Sequence, residues 1–393
     1  MHVLMLPSFY SDPDQPLCGS FFRDQALALS AEGVTVGIAY VEPRSLRRFR
    51  PGAVANSHFQ IREYDDHGVR ELRMHGWNTL DRTRQGAMVW AQLTLGLYER
   101  YVQRCGTPDL LHAHNALYAG YAASLIAGRH GVPYLVTEHH SSFLDGGPPV
   151  NRHDLIRRAY GGASWVIAVS SALERAVTPF TSCGRQVIIP NLVDTDFFAP
   201  PECEPAVEPY TILTIARLVA GKRIDLLIRA FAACHARNAG VRLVIGGDGP
   251  CRGELEETCR HLGIRELVTF SGALTRKGVR DLLRSAHLFV LPSSVETFGI
   301  VLIEALATGV PVVATRSGGP EEIVTDSCGL LVAPDDVEGL ELALRRMHEE
   351  RGRYGRAGLR ARAVESYGHR AVAGRLVRLY GEVLAETASE GSR

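Results

Sequence analysis

Lysine is nearly missing from this 393-residue chain: of 43 basic residues only Lys222 and Lys277 are lysine, and arginine carries the positive charge everywhere else. Charge of one sign is not in excess either. The formal net charge is zero and the pI about 7.3, which excludes a general attraction for nucleic acid and for anionic lipid. The eight cysteines form no C-x-x-C pair and no Cys/His spacing of a zinc site, so a reduced, metal-free, cytoplasmic chain is expected. Long apolar runs are missing too, because "IVLIEALATGVPVVAT" is broken by Glu304 and Pro311 and falls short of a membrane span. The opening "MHVLMLPSFY" has no basic leader and meets Pro7 early, unlike a secretory signal. No solenoid-type repeat is visible.

What is present is the composition of an ordinary globular protein, 46% hydrophobic and 22% charged, in a chain longer than one core usually supports. Two domains are expected. Short apolar runs alternate with segments of helical period: "HVLMLP", then "FFRDQALALSAEG", then "VTVGIAYV", and later "PDLLHAH", "PYLVTEHH", "SWVIAVS" and "QVIIPN". From Pro190 to Pro209 five prolines and no amphipathic period mark a linker, after which "YTILTIARL" restarts the alternation. The expected fold is α/β, with two doubly wound Rossmann-like domains facing across a cleft. The boundaries are 1–190, a linker at 191–209 and a second domain at 210–368. A last amphipathic helix, about 369–393, is expected to pack back on the first domain.

The chemistry concentrates at "ETFGIVLIE", where seven mostly apolar residues separate Glu296 from Glu304. Ser293, Ser294, Thr297 and Gly299 mark the entry of a helix that Gly309 and Pro311 end, which puts Glu296 just before the first turn and Glu304 about two turns in. The amides of Thr297, Phe298, Gly299, Ile300 and Val301 then form a free helix N-terminus, which favours a phosphate. With a carboxylate on either side to take hydroxyls, the pattern is that of a sugar nucleotide.

These residues carry a resemblance. "ETFGIVLIE" resembles the E-x7-E signature of retaining glycosyltransferases of the GT-B fold, family 4. "IARLVAGKRIDLLIRAF" is similar to that family's Arg…Lys diphosphate segment, "IGGDGP" to its glycine turn, "IPNLVDTDFF" to its linker and "VTEHHSS" to its histidine loop. The resemblance implies that Glu296 holds hydroxyls of the transferred sugar and Glu304 the nucleotide ribose, while Arg217 and Lys222 neutralise the departing diphosphate. It implies that His139 lies beside donor sugar and acceptor, that Gly19 lets backbone approach the phosphates, and that Gly247 and Gly249 belong to the donor site; "GGDGP" lacks the dinucleotide fingerprint and also reads as a plain strand-to-helix turn with Pro250 at the first helical position. The scarcity of lysine supports Lys222 separately, as a place for a compact ammonium where a guanidinium does not fit. At Leu192 the family usually has glycine, so the linker turn is expected to differ.

Other signals point less sharply. His112 and His114 share a strand end without a carboxylate or cysteine at ligand spacing, which favours packing over a metal. His139 and His140 are adjacent competitors for one role. The triplets "DPD" at 12–14 and "DTD" at 194–196 do not follow buried strands and are set aside as metal ligands. "RSLRRFR" at 44–50 is either a solvated loop or a contact for an acceptor phosphate. Residues 1–190 hold 18 Arg against 16 Asp plus Glu, too small a surplus to fasten a domain strongly to membrane.

The reading that follows is a retaining, metal-independent sugar transferase without a cofactor. It would take a nucleotide-sugar donor, a UDP-sugar first, and an acceptor hydroxyl on a small soluble molecule such as an aminocyclitol, or on a growing glycan. A sugar-nucleotide epimerase of the same fold and a non-catalytic nucleotide-sugar binder are the alternatives.

Overall fold

The short apolar runs become the strands of two parallel sheets. The structure, a computed structural model, describes residues 1–11, 18–44, 59–77, 80, 83–182, 184–203, 206–235 and 240–390. It divides into two compact units, one of Met1–Val169, Leu173–Pro190 and Val372–Arg393, the other of Ser170–Ala172 and Asn191–Ala371.

In chain order the first part contains β1 (His2–Pro7), α1 (Ser20–Ala31), β2 (Thr35–Arg44), β3 (Ile61–Asp66), β4 (Val69–Trp77), α2 (Arg84–Cys105) and β5 (Leu110–His114). Then come α3 (Tyr121–His130), β6 (Tyr134–Glu138), α4 (His153–Gly161), β7 (Trp165–Ala168), α5 (Ser171–Val177) and β8 (Gln186–Ile188). The sheet order is β3-β4-β2-β1-β5-β6-β7-β8, parallel throughout except for the antiparallel β3–β4 pair at one edge. Every residue of β5 and β6 is buried. Covered on both faces, they bury polar residues, His112, His114, Thr137 and Glu138, together with the apolar ones, so neither strand alternates.

The β3–β4 hairpin is not foreseen by the sequence reading, and its composition explains why. β3 reads "IREYDD" and is exposed at its four central positions, so it offers no apolar run. Charges on an edge strand also discourage pairing with another chain.

The second unit begins its sheet with β9 (Tyr210–Ile215), followed by α6 (Ile224–His235), β10 (Val241–Gly246), α7 (Arg252–His261), β11 (Val268–Gly272), α8 (Arg276–Ser285) and β12 (Leu288–Leu291). It continues with α9 (Ile300–Ala307), β13 (Val312–Thr315), the short α10 (Pro320–Ile323), β14 (Gly329–Val332), α11 (Val337–Glu349) and α12 (Arg356–Tyr367); α13 (His369–Glu390) ends the chain. The order β11-β10-β9-β12-β13-β14 is fully parallel. Strand order therefore reverses between β9 and β12, the kind of point where open α/β sheets bind ligands beyond their carboxyl ends. In the first unit the same reversal falls between β1 and β5.

Burial of the helix faces holds each sheet. On α6, Leu227, Ile228 and Phe231 are fully buried, and α6 packs against α11 through the stripe of Leu340, Leu344 and Met347. Covering a side chain of Phe231's size contributes roughly 2–3 kcal/mol. The sequence reading passes over α12, whose "RAGLRARAVESY" buries only Leu359, Ala363 and Tyr367.

Two segments are tied to particular units. Residues after Pro190 belong to the second unit: Arg276 stacks on the Phe197 ring at 4.5 Å, and Arg360 donates to the Thr195 carbonyl at 2.9 Å. Leu192 is buried and keeps out of the left-handed region, while Val193 N–H donates to the Tyr367 carbonyl at 2.9 Å, so this turn works without a glycine angle. From Val372 onward α13 belongs to the first unit, where the buried Tyr380 hydroxyl lies 2.6 Å from His112 Nδ1. Among the described residues no helix is long and apolar enough to cross a membrane.

Candidate active site

At the carboxyl end of β9 the chain is pinned before it reaches Arg217. Ala216 N–H donates to the Gly246 carbonyl at 3.1 Å, Leu218 N–H to that of Asp248 at 3.0 Å, and Cys251 N–H back to Leu218 at 3.0 Å. Gly247, at φ 112°, lies so close that a Cβ there would run into the Ala216 carbonyl oxygen, and one at Gly249 would meet that of Leu218. At both positions the missing side chain makes room for the chain's own backbone. The result is a fixed loop on which Arg217 is exposed, without a side-chain partner among the described residues.

Five residues on, Lys222 ends a single 3-10 turn, and its Nζ donates to Glu296 Oε2 at 2.6 Å. Glu296 is therefore met by an ammonium. The two side chains are 28% and 16% exposed, so the pair is reachable from solvent. Arg223, next in sequence, takes a left-handed φ of 48° and pairs with Asp225 and Asp335. Ser294 N–H and Oγ–H both donate to the Gly221 carbonyl at 3.0 Å, which stitches the loop after β12 to the loop after β9.

A third loop joins them. Glu296 N–H donates to the Ser317 carbonyl at 2.9 Å and Gly319 N–H to the Glu296 carbonyl at 2.8 Å. A Cβ at Gly319 would collide with the Phe298 backbone. The loops following β9, β12 and β13 therefore converge on Glu296, beside the strand reversal.

Gly299 opens α9 at φ 95°, no side chain caps the helix, and among the described residues the amides of Thr297, Phe298, Gly299, Ile300 and Val301 find no acceptor. Such an end suits an anion. Because α9 starts at Ile300, the half-buried Glu304 stands a little over one turn into it, closer than the two turns expected.

In the first unit, the carboxyl ends of β5 and β6 bring the histidines together. His139 is buried, and its Nε2 lies 3.1 Å from His114 Nδ1, so the two rings share one proton. Its ring packs against Phe21 and Phe22 at centroid distances of 5.2 and 5.1 Å. Gly19, at φ 70°, starts α1 beneath the Phe9 carbonyl, 3.1 Å from where its Cβ would be. His112 joins Tyr380 to Thr137, with Nε2 2.6 Å from Thr137 Oγ1. Burial lowers the His112 pKa to about 3. His114 is pushed well below the usual range by burial and by the two neighbouring imidazoles. Both are neutral at pH 7 and form packed strand-end hydrogen bonds.

His140 separates from His139 here. Its Nδ1 accepts from Ser142 N–H at 3.1 Å and its side chain stays exposed, so it caps its own turn. Two residues that sequence reasoning passed over complete this loop. Asn115, at φ 71°, accepts from His139 N–H at 3.0 Å, and Glu138 is fully buried directly before the histidine pair. The signal for Asn115 was its place after a buried strand, since asparagine tolerates the left-handed region.

Asp194, Asp196 and His369 bring ligand atoms within 4.8 Å of one another, a grouping able to hold a metal ion. Asp194 already accepts the amides of Asp196 and Phe197 at 3.2 and 3.0 Å and faces Arg276 at 3.5 Å, so its carboxylate shapes the turn. The triplet at 12–14 and the basic run from 45 to 50 lie outside the described residues.

Comparison with known proteins adds the family. Residues 19–197 match the model of Glycosyltransferase Family 4, and residues 199–364 that of Glycosyl transferases group 1. The MMP alpha-(1->4)-mannosyltransferase of Mycolicibacterium hassiacum is 31% identical over 311 residues, 73% of each chain. A putative teichuronic acid biosynthesis glycosyltransferase of Bacillus subtilis is 27% identical over 366 residues, 89% of this chain and 90% of that one. Of the phosphatidylinositol N-acetylglucosaminyltransferase subunits from Arabidopsis thaliana and Schizosaccharomyces pombe, the chain spans only 34% and 51%. The fold of Anabaena HepE, solved with UDP and glucose, is similar at a TM-score of 0.73 and 19% identity, covering 97% of this chain and 100% of that one.

Proposed function

The chain belongs to the family 4 glycosyltransferases of GT-B fold, and we propose that it moves a sugar from a nucleoside-diphosphate donor, a UDP-sugar first, to an acceptor hydroxyl with retention of configuration. The observation that carries this reading is the 2.6 Å Lys222–Glu296 contact at the strand reversal, next to an uncapped helix start. In the free protein each group neutralises the other. When the donor binds, its diphosphate takes over the ammonium, together with the exposed Arg217 and the amides of Thr297 to Val301. Glu296 is then released to accept hydroxyls of the transferred sugar, and Glu304 those of the ribose. The positive charge is supplied by the chain, so the reaction is proposed to need no metal.

As the anomeric bond breaks, charge grows on the leaving oxygen, where Lys222 and Arg217 stabilise it. The same oxygen takes the acceptor proton on the face it leaves. His139 orients donor sugar and acceptor. The acceptor is proposed to be a small soluble molecule such as an aminocyclitol or a sugar, with a growing glycan as the second choice; the teichuronic acid enzyme among the relatives favours the latter.

The test is a panel of UDP-, GDP-, ADP- and TDP-sugars read by thermal shift. A donor at a hundred times its Kd adds about 2.7 kcal/mol of stability. One donor should stabilise the protein, and its nucleoside diphosphate should be released only when a glycoside forms. An isomerised sugar without acceptor would replace this reading by an epimerase.

A further inference from the structure

Glu138 is a fully buried carboxylate that, among the described residues, pairs with no cation. Four donors converge on it. Oε1 accepts the N–H groups of His139 at 3.0 Å and His140 at 2.8 Å, while Oε2 accepts Ala116 N–H at 2.9 Å and the Tyr160 hydroxyl at 2.7 Å. An acidic group moved out of water at such a cost must be matched by contacts that need it, and an ionised carboxylate is the side chain that can accept on both oxygens at once. Three separate pieces of chain meet there: the loop after β5, the loop after β6 and helix α4.

The recipients are specific. Two of the four bonds go to the backbone of the histidine loop itself, and Asn115 adds a second acceptor to the His139 amide at 3.0 Å. Ala116, the third backbone donor, follows Asn115 and His114, the residue whose ring meets His139. Glu138 thus fixes both the backbone that carries the His139 ring and the strand end that meets that ring.

We propose that Glu138 is a positioning residue for sugar transfer: its buried carboxylate locks the His139–His140 backbone to the loop after β5 and so sets the direction of the His139 ring. This rests on the reading of His139 as an active-site residue. A glutamine keeps the shape but replaces one acceptor oxygen by an N–H₂ group. Tyr160 can turn its hydroxyl round to accept from it; a backbone N–H cannot, so at least one amide of the cluster loses its partner.

The experiment compares E138Q and H139A with the unaltered protein by steady-state kinetics, thermal melting and NMR of histidine-labelled protein. E138Q should stay folded, with turnover lowered about 10- to 100-fold, donor KM within about twofold, and the His139 and His140 amide and His139 ring signals displaced. Tyr160→Phe, which removes one donor and keeps the ring, should give the same split at about three- to tenfold, and it serves if E138Q does not fold. Unshifted histidine signals, or unaltered turnover in E138Q beside a crippled H139A, would overturn the proposal. Full turnover in H139A would instead remove the active-site reading and with it the role of Glu138 in sugar transfer, even where displaced signals show that Glu138 holds the loop.

Discussion

Lys222 Nζ and Glu296 Oε2 are 2.6 Å apart, and they join two loops that follow strands on either side of the reversal in the second sheet. One of only two lysines in the chain is spent on this contact. A carboxylate held by a single ammonium is a carboxylate that an incoming anion can set free.

Lys222→Ala should lower kcat by at least about 100-fold while donor affinity changes far less, because the ammonium acts on charge that develops as the bond breaks. Lys222→Arg should restore little, since a planar fork does not replace a point charge in this contact. Product formation and calorimetric titration with the preferred donor check this. Full turnover in Lys222→Ala would rule the assignment out.

Gly247→Ala should destabilise the protein by about 2–3 kcal/mol, through a left-handed angle and a collision with the Ala216 carbonyl. Gly253→Ala, in α7 with nothing within 4 Å of the new methyl, should be neutral or stabilising by up to about 1 kcal/mol. Urea unfolding of the two variants separates the explanations. Equal effects would mean that the close approach at Gly247 does not matter.

The buried histidines give a pH dependence of definite sign. His112 has an ordinary value of 6.5 when unfolded and about 3 when folded, and His114 is lowered in the same direction, so the unfolded chain binds the extra protons. Their contribution is complete above pH 6.5 and is lost as the pH falls toward the folded values, at about 1.4 kcal/mol per pH unit for each ring. The urea midpoint should therefore drop steadily between pH 6.5 and 5. A flat midpoint over that interval would contradict the burial of neutral rings.

Tyr380→Phe removes the hydroxyl that meets His112 Nδ1 at 2.6 Å. The loss should be about 1–3 kcal/mol, because it leaves a buried ring nitrogen without its best partner. Proteolysis should cut α13 faster in this variant than in the unaltered chain. An unchanged cleavage rate would show that the helix is held by other contacts.

Much of this architecture is legible from residues alone. Buried parallel strands such as "HVLMLP" and "YTILTI" announce themselves as short, mainly apolar runs, and the glycine at 299 stands where α9 starts. Legibility fails where apolar content is low, as in "IREYDD", or where the helical stripe is thin, as in α12. At the candidate site, residue types and spacing mark Glu296, Lys222 and His139, but not which groups meet. That Glu296 finds an ammonium depends on three loops brought together by strand order. The four donors around Glu138 come from positions 22 residues before it to 22 after, and no local pattern reports them. Nor does the sequence report that Gly247 and Gly249 leave room for the carbonyls of Ala216 and Leu218, which are close only in the fold.

The first unit is assembled from residues up to Pro190 and from Val372 onward, with nearly all of the second unit, Asn191–Ala371, encoded between them. During synthesis, then, the groove awaiting Tyr380 stays open until α13 has emerged from the ribosome, and the second unit is the first able to close. A nascent chain halted before codon 372 should remain a client of chaperones at its amino-terminal half.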